Sequence, residues 1–290
     1  MKQRQYVGFD VGGWLVRSSH DAVARLMISG HERKWDILSR DDKGHRRKNI
    51  LHPDNSSKLI RELCVTCDAV QTIIAIDAAL GWPTEFRDLI NGEVPNPLPS
   101  IESKSIENKV LYRETERFIF HRTNTHPLTA VGDMFGNPST KAQATALRIR
   151  GEFGAYMPPF DPWSRDSFCE SQLTVVEVYP ASIGEHGTFR DRVDAELAQV
   201  EAELKVKRQR ALTGDEADAV CCALIAEDLQ NAVCIGSDDP DRVYDLPDGD
   251  STGDGDSIAG PPADGLPSPR FTMDYERVRS EGWIFSPRQL

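Results

Sequence analysis

The sequence predicts an α/β fold built on a mixed sheet. Three observations carry that reading. Short β-branched apolar runs around Val7–Phe9, Ile73–Ile76 and Val175–Val178 read as buried strands. Amphipathic patterns of helical length lie between and after them, so the later strands are reached by crossovers. The first strands follow one another too closely for crossovers and are expected to pair antiparallel.

Taken in order, residues 5–11 form a strand that stops at Asp10-Val11-Gly12-Gly13. Trp14–Ser18 and Lys34–Leu38 can add two strands of a meander. Asp54–Cys67 reads as a helix that starts after Pro53, with Leu59, Ile60 and Leu63 on one stripe. Gln71–Asp77 is a buried strand, broken by Gly81-Trp82-Pro83. Residues 82–138 are rich in Pro and charge and look like an irregular insertion. Ser139–Phe153 is a helix capped by Ser139 or Thr140. Leu173–Tyr179 is a strand stopped by Pro180, and Asp191–Arg210 is a long charged helix. Thr213–Ala226 is a more apolar helix, with Thr213 and Glu216 spaced as a capping box. Glu281–Phe285 closes the chain as a strand. The expected architecture is one domain over residues 1–290: a five-stranded mixed sheet flanked by helices, with the insertion and an acidic disordered loop at 237–269.

That loop explains most of the charge. The chain has 290 residues and a net charge of -12, and 237–269 carries nine Asp against one Arg. The body is therefore only mildly acidic, and local basic patches could still meet a phosphate chain. No run approaches the ~20 apolar residues of a membrane span. Met1–Gln5 leads straight into a strand without a signal-peptide core. A cytoplasmic protein with no membrane partner and reduced thiols is expected from this and from its six cysteines. Cys64 and Cys67 form a lone CxxC, and zinc would need a second pair of ligands.

The chemistry lies in the acids. Asp10 meets a Gly-Gly turn, Asp77 ends an apolar strand, and Glu177 sits between Val176 and Val178. Asp215 and Asp218 open the Thr213 helix three residues apart, so they share a face. Asp218 precedes Ala219-Val220-Cys221-Cys222 and is expected to point along a buried face. Carboxylates on buried strands are costly unless paired or bound to a cation. Glu177 could be a metal ligand or the partner of an arginine. Acids that converge on one sheet suit Mg²⁺ or Mn²⁺, which want oxygen ligands and activate water for phosphodiester hydrolysis. Arg113 and Arg117, one helical turn apart, could clamp phosphates or form a salt-bridged face. Lys207 and Arg210 precede the acid cluster and could guide a strand to it, or balance a helix dipole.

At these residues the chain resembles the RNase H-like superfamily. Gly8-Phe9-Asp10, the later strand acid Asp77 and Asp215-x-x-Asp218-Ala219 follow the acid order of RuvC-like Holliday-junction resolvases. The chain is also similar to the predicted nucleases known as domain of unknown function four-twenty-nine. That similarity rests on Gly12-Gly13-Trp14, Ala75–Gly81, Arg113-x-Thr115-Glu116, Glu177–Pro180, Asp215–Ala219 and Glu281–Phe285. It departs from the RuvC-like pattern where Asp77 replaces the usual Glu. The resemblance implies a metal-dependent nuclease acting on DNA or RNA. Asp10 would bridge two metals, Asp77 and Asp218 would each bind one, and Asp215 or Glu177 would assist. Arg113, Arg117, Lys207 and Arg210 are the candidate nucleic-acid contacts. Two other readings stand beside it. The Asp10–Gly13 turn is similar to the phosphate loop of actin-like sugar kinases, and the fold could also serve as an inactive nucleic-acid-binding or partner-recruiting protein.

Overall fold

The first strand, β1 (Gln3–Asp10), is buried from Gln5 to Phe9, because helices cover both of its faces. The computed structural model describes residues 3–13, 21–39, 61–63, 70–93, 106–123, 126–132, 136–158, 160–183, 187–236, 257–259 and 270–286. In it β1 pairs antiparallel with β2 (Ala22–Ser29), and β2 pairs antiparallel with β3 (Glu32–Ile37). On its other side β1 runs parallel to β4 (Val70–Asp77), and β4 runs parallel to β5 (Leu173–Val178). Two short strands, β6 (Ser257–Ala259) and β7 (Arg270–Thr272), pair antiparallel with each other. The two-residue β8 (Ile284–Phe285) joins β5 in parallel. The main sheet therefore runs β3-β2-β1-β4-β5-β8.

In chain order the helices are α1 (Thr84–Ile90), α2 (Glu114–Thr123), α3 (Gly136–Phe153), α4 (Arg165–Glu170), α5 (Thr188–Arg208), α6 (Gly214–Gln230) and α7 (Tyr275–Glu281). Strand alternation divides the core in two. Val7, Phe9, Ile74, Ile76 and Val175 face Ala142, Ala146 and Ile149 of α3. Tyr6, Ile73, Ala75 and Val176 face the buried side of α6, from Ala219 to Leu229.

One residue allows α6 to lie on the sheet. A Cβ on Gly8 would fall 1.9 Å from the Ala219 carbonyl oxygen and 2.7 Å from the Ala223 nitrogen. Only glycine admits a helix backbone that close to a strand. Gly81 does the same elsewhere, with the Glu281 carbonyl 1.9 Å from where its Cβ would be.

Several expectations need correction. The sheet has six strands, not five. Ala22–Ser29, not Trp14–Ser18, is the neighbour of β1; residues 14–18 lie outside the described ones. Most of Asp54–Cys67 also lies outside them, and Arg61–Leu63 is helical. The 82–138 stretch is not wholly irregular, since α1 and α2 lie within it. Helix α3 starts three residues early, because Pro138 fits a first helical turn that needs no backbone donor. Within the segment read as disordered, Ser257–Ala259 is strand, paired with β7. The closing strand is shorter than expected, because Glu281 ends α7 instead.

The thiols are not all reduced. Cys169 and Cys234 form a disulfide across 65 residues, between α4 and the π-helical turn Asn231–Gly236 that follows α6. Cys221 and Cys222 are free and buried. Among the described residues no helix is long and apolar enough to cross a membrane.

Gly8→Ala must displace α6 and should cost about 3 kcal/mol, read as a drop in the urea midpoint at unchanged m-value. Closing a 65-residue loop is worth about 4 kcal/mol in the chain-entropy account. Reductant should lower the stability of the protein by up to that amount and leave a Cys169→Ser/Cys234→Ser variant unaffected, as denaturant titration would show.

Candidate functional site: four acids at the end of the central strands

Asp10 ends β1 and Asp77 ends β4, and the parallel register places them side by side. Their side chains share a face. Asp10 continues the series Tyr6, Gly8, and Asp77 continues Ile73, Ala75, which is the face that α6 covers. The close approach at Gly8 brings the first turn of α6 over the same strand end, and that turn carries Asp215 and Asp218. Ligands of open α/β sheets bind beyond the carboxyl ends of such strands.

The start of α6 is rigidly set. The Thr213 hydroxyl accepts the Glu216 N–H at 3.2 Å, and the Glu216 carboxylate accepts the Thr213 N–H at 3.1 Å. This is the capping box that the spacing predicts. Arg210 then grips Glu216 with both terminal nitrogens, at 2.5 and 2.9 Å. Asp215 and Asp218 project from this fixed turn and are exposed, while Asp10 and Asp77 are half-buried. The expectation that Asp218 follows the buried face is thus overturned: the helix turns Ala219 and Val220 inward instead.

The acids feel one another. Burial, followed by Asp215, Asp218 and Asp21, pushes the Asp10 carboxyl up from an ordinary 3.8 to about 7. Burial, followed by Asp10, Asp218 and Glu177, pushes Asp77 well up. Asp218, exposed yet partly shielded from water, is raised by that desolvation and then by Asp215. No cation offsets any of these shifts. Among the described residues, no side chain donates to Asp10, Asp77, Asp215 or Asp218. Every fully buried acid in the same set has a cationic partner. Asp21 pairs with Lys141, Glu114 with Arg117, Glu116 and Glu177 with Arg113, and Glu216 with Arg210. Glu227 and Asp228 pair with Arg192, and Glu281 with Arg277. Buried charge is tolerated elsewhere only as pairs, and the half-buried, unpaired Asp10 and Asp77 depart from that rule. No three His, Cys, Asp or Glu side chains among the described residues already form a group that could hold a metal ion. The four acids are neighbours with overlapping fields, not a closed cage.

Glu177 is near Asp77, whose carboxyl it helps to push up, but it is not one of the unpaired acids. It pairs in register with Ile76 and with neither acid. Its carboxylate receives the Arg113 guanidinium at 2.5 and 2.9 Å and the Leu80 N–H at 2.8 Å. Of the two roles the sequence left open, it takes that of an arginine's partner.

The expected phosphate contacts are also committed elsewhere. Arg113 is completely buried and joins Glu116 to Glu177. Arg117 is buried between Glu107 and Glu114. Arg210 holds the capping box. Lys207 is exposed in the last turn of α5, as the helix-dipole reading expects, and pairs with Glu203 one helical turn away at 2.8 Å. Arg113 and Arg117 are charge-network residues of the fold, because the insertion folds back on the sheet and buries them.

Sequence reading missed Asp21 and Lys141. Both are fully buried, with Nζ 2.5 Å from Oδ1. A signal was present: Lys141 adjoins the apolar stripe Ala142, Ala146, Ile149 of α3. A lysine bordering a core stripe asks for a buried acid.

No family model, no curated protein and no solved structure matches the chain. The class that its fold and site define is thus an α/β protein with a six-stranded mixed sheet and an unpaired carboxylate cluster at the ends of its two central parallel strands.

The raised Asp10 gives a signed pH dependence. Its folded value of about 7 exceeds the unfolded 3.8, so the folded state holds a proton that the unfolded state releases. Stability falls as pH rises through that window. Asp10→Asn should match wild type near pH 4 and become progressively more stable than it towards pH 8, measured as the difference in Tm across the series.

Proposed function

We propose that the protein is a metal-dependent phosphodiesterase of RNase H-like type, hydrolysing nucleic acid at the Asp10–Asp77–Asp218 cluster. The observation that supports this is the contrast between the half-buried, unpaired Asp10 and Asp77, with the unpaired Asp215 and Asp218 beside them, and the eight paired buried acids. Uncompensated carboxylates in one place cost stability. The cost is explained if the native partner is a cation from solution. The donor set fits Mg²⁺ or Mn²⁺, since it is all carboxylate oxygen. Asp10, Asp77 and Asp218 would hold the ion, with Asp215 as an auxiliary ligand. When bound, such an ion activates water and neutralises charge developing on phosphate.

The chain's own residues supply the rest. The register of β1 and β4 sets Asp10 beside Asp77. The Thr213–Glu216 box and Arg210 fix the helix start that presents Asp215 and Asp218. Exposure of Asp215 and Asp218 leaves the cluster open to a large substrate on that side. The proposal rests on the acids and not on a basic track, because Arg113, Arg117 and Arg210 serve the fold.

Calorimetric titration with Mn²⁺ should show specific binding to wild type that disappears in Asp10→Asn and Asp77→Asn. Single- and double-stranded oligonucleotides of DNA and RNA should be cleaved only with metal, and Asp218→Asn should cut no faster than the metal-free control. Undiminished cleavage by Asp10→Asn would defeat the mechanism. Saturable ATP binding without nucleic-acid cleavage would point to the kinase reading.

A further inference from the structure

Behind the acid cluster, on the opposite face of the sheet, lies a second charged device. Asp21 immediately precedes β2 and Lys141 lies in α3, and both side chains are buried. Asp21 Oδ1 accepts the Gly12 N–H at 3.0 Å and the Lys141 ammonium at 2.5 Å. The same ammonium donates to the Gly12 carbonyl at 3.2 Å. Both polar groups of Gly12, two residues beyond Asp10, are thus held by one ion pair. The next residue lies close to the start of α3: a Cβ on Gly13 would come 2.8 Å from the Asn137 side-chain nitrogen.

The lysine makes no contact with the cluster, because its ammonium is taken by Asp21 and the Gly12 carbonyl. Alternation puts Asp10 on the α6 face and Lys141 on the α3 face, with the sheet between them. Stability alone does not call for such a pair, since well-packed apolar residues of similar volume often serve as well. What an apolar pair could not do is fix the peptide groups on both sides of Gly12.

We propose that the Asp21–Lys141 ion pair is a positioning device. It holds Gly12, just beyond β1, from behind, so that Asp10 keeps a fixed place against Asp77 and the start of α6. The part of this that concerns metal rests on the proposed function; the clamp on Gly12 does not.

The test uses the full chain in two forms, Lys141→Met and the volume-matched Asp21→Leu/Lys141→Met, each compared with wild type. Amide hydrogen exchange reads the clamp without any metal. The Gly12 amide should exchange faster in the double variant, while amides of α6 keep their protection and show that the fold is intact. Calorimetry with Mn²⁺ alone reads the consequence at Asp10. Affinity should fall by about 10–100-fold, the usual effect of removing an outer-shell support. Unchanged Gly12 exchange in the folded double variant overturns the clamp. Faster exchange with undiminished Mn²⁺ affinity overturns its positioning role. If wild type binds no Mn²⁺, the metal reading fails by itself, and the Gly12 amide still decides whether the clamp exists.

Discussion

The structure depends on the contact between Gly8 and the backbone of α6. A helix normally stands off a sheet by the length of its side chains. Here the Ala219 carbonyl sits where a Cβ would be, so helix and strand meet backbone to backbone. Two consequences follow from that distance. The apolar side of α6 seals one face of the sheet, from Ala219 to Leu229. Its polar first turn is lowered onto the end of β1, where Asp10 already stands beside Asp77. The same missing side chain therefore closes the core and assembles the acids.

Electrostatics divides the molecule into two regimes. Around α2 and α7, buried acids and arginines form a connected network. Arg113 links Glu116 to Glu177, Arg117 links Glu107 to Glu114, and Arg277 reaches Glu85 and Glu281. Backbone donors complete it: Glu281 also accepts the N–H groups of Thr84 and Glu114. The network ties the stretch between β4 and α3 to the C-terminal helix, and removal of one member strands its partners in a poor solvent. At the strand ends the opposite holds. Acids are gathered without cations, and the rise of Asp10 to about 7 comes first from its burial and then from the neighbouring acids. Folding energy supplied by the apolar core offsets this local cost.

Between the regimes lies the end of β1 with Gly12 just beyond it. The acids approach it from the α6 side, and the Asp21–Lys141 pair holds it from the α3 side. A strand end fixed from both faces cannot relax away from neighbouring negative charge. Repulsion within the cluster is retained in the native state because the backbone that carries it is held.

The sequence by itself determined the local elements whose signals are local. The apolar run of β4, the capping box at Thr213 and Glu216, and the α/β alternation were all legible, because each depends on residues within a few positions of one another. Asp10, Asp77, Asp215 and Asp218 were legible as candidates for the same kind of reason: a carboxylate next to a buried run is conspicuous. Tertiary structure alone decided which acids meet. Packing gave Glu177 to Arg113, a residue 64 positions away. It also brought Lys141 to Asp21 across 120 positions and turned Arg113 and Arg117 from candidate phosphate ligands into buried ion-pair partners. Residue type announces that a charge needs a partner. Only packing between distant segments decides whether that partner is already in the chain.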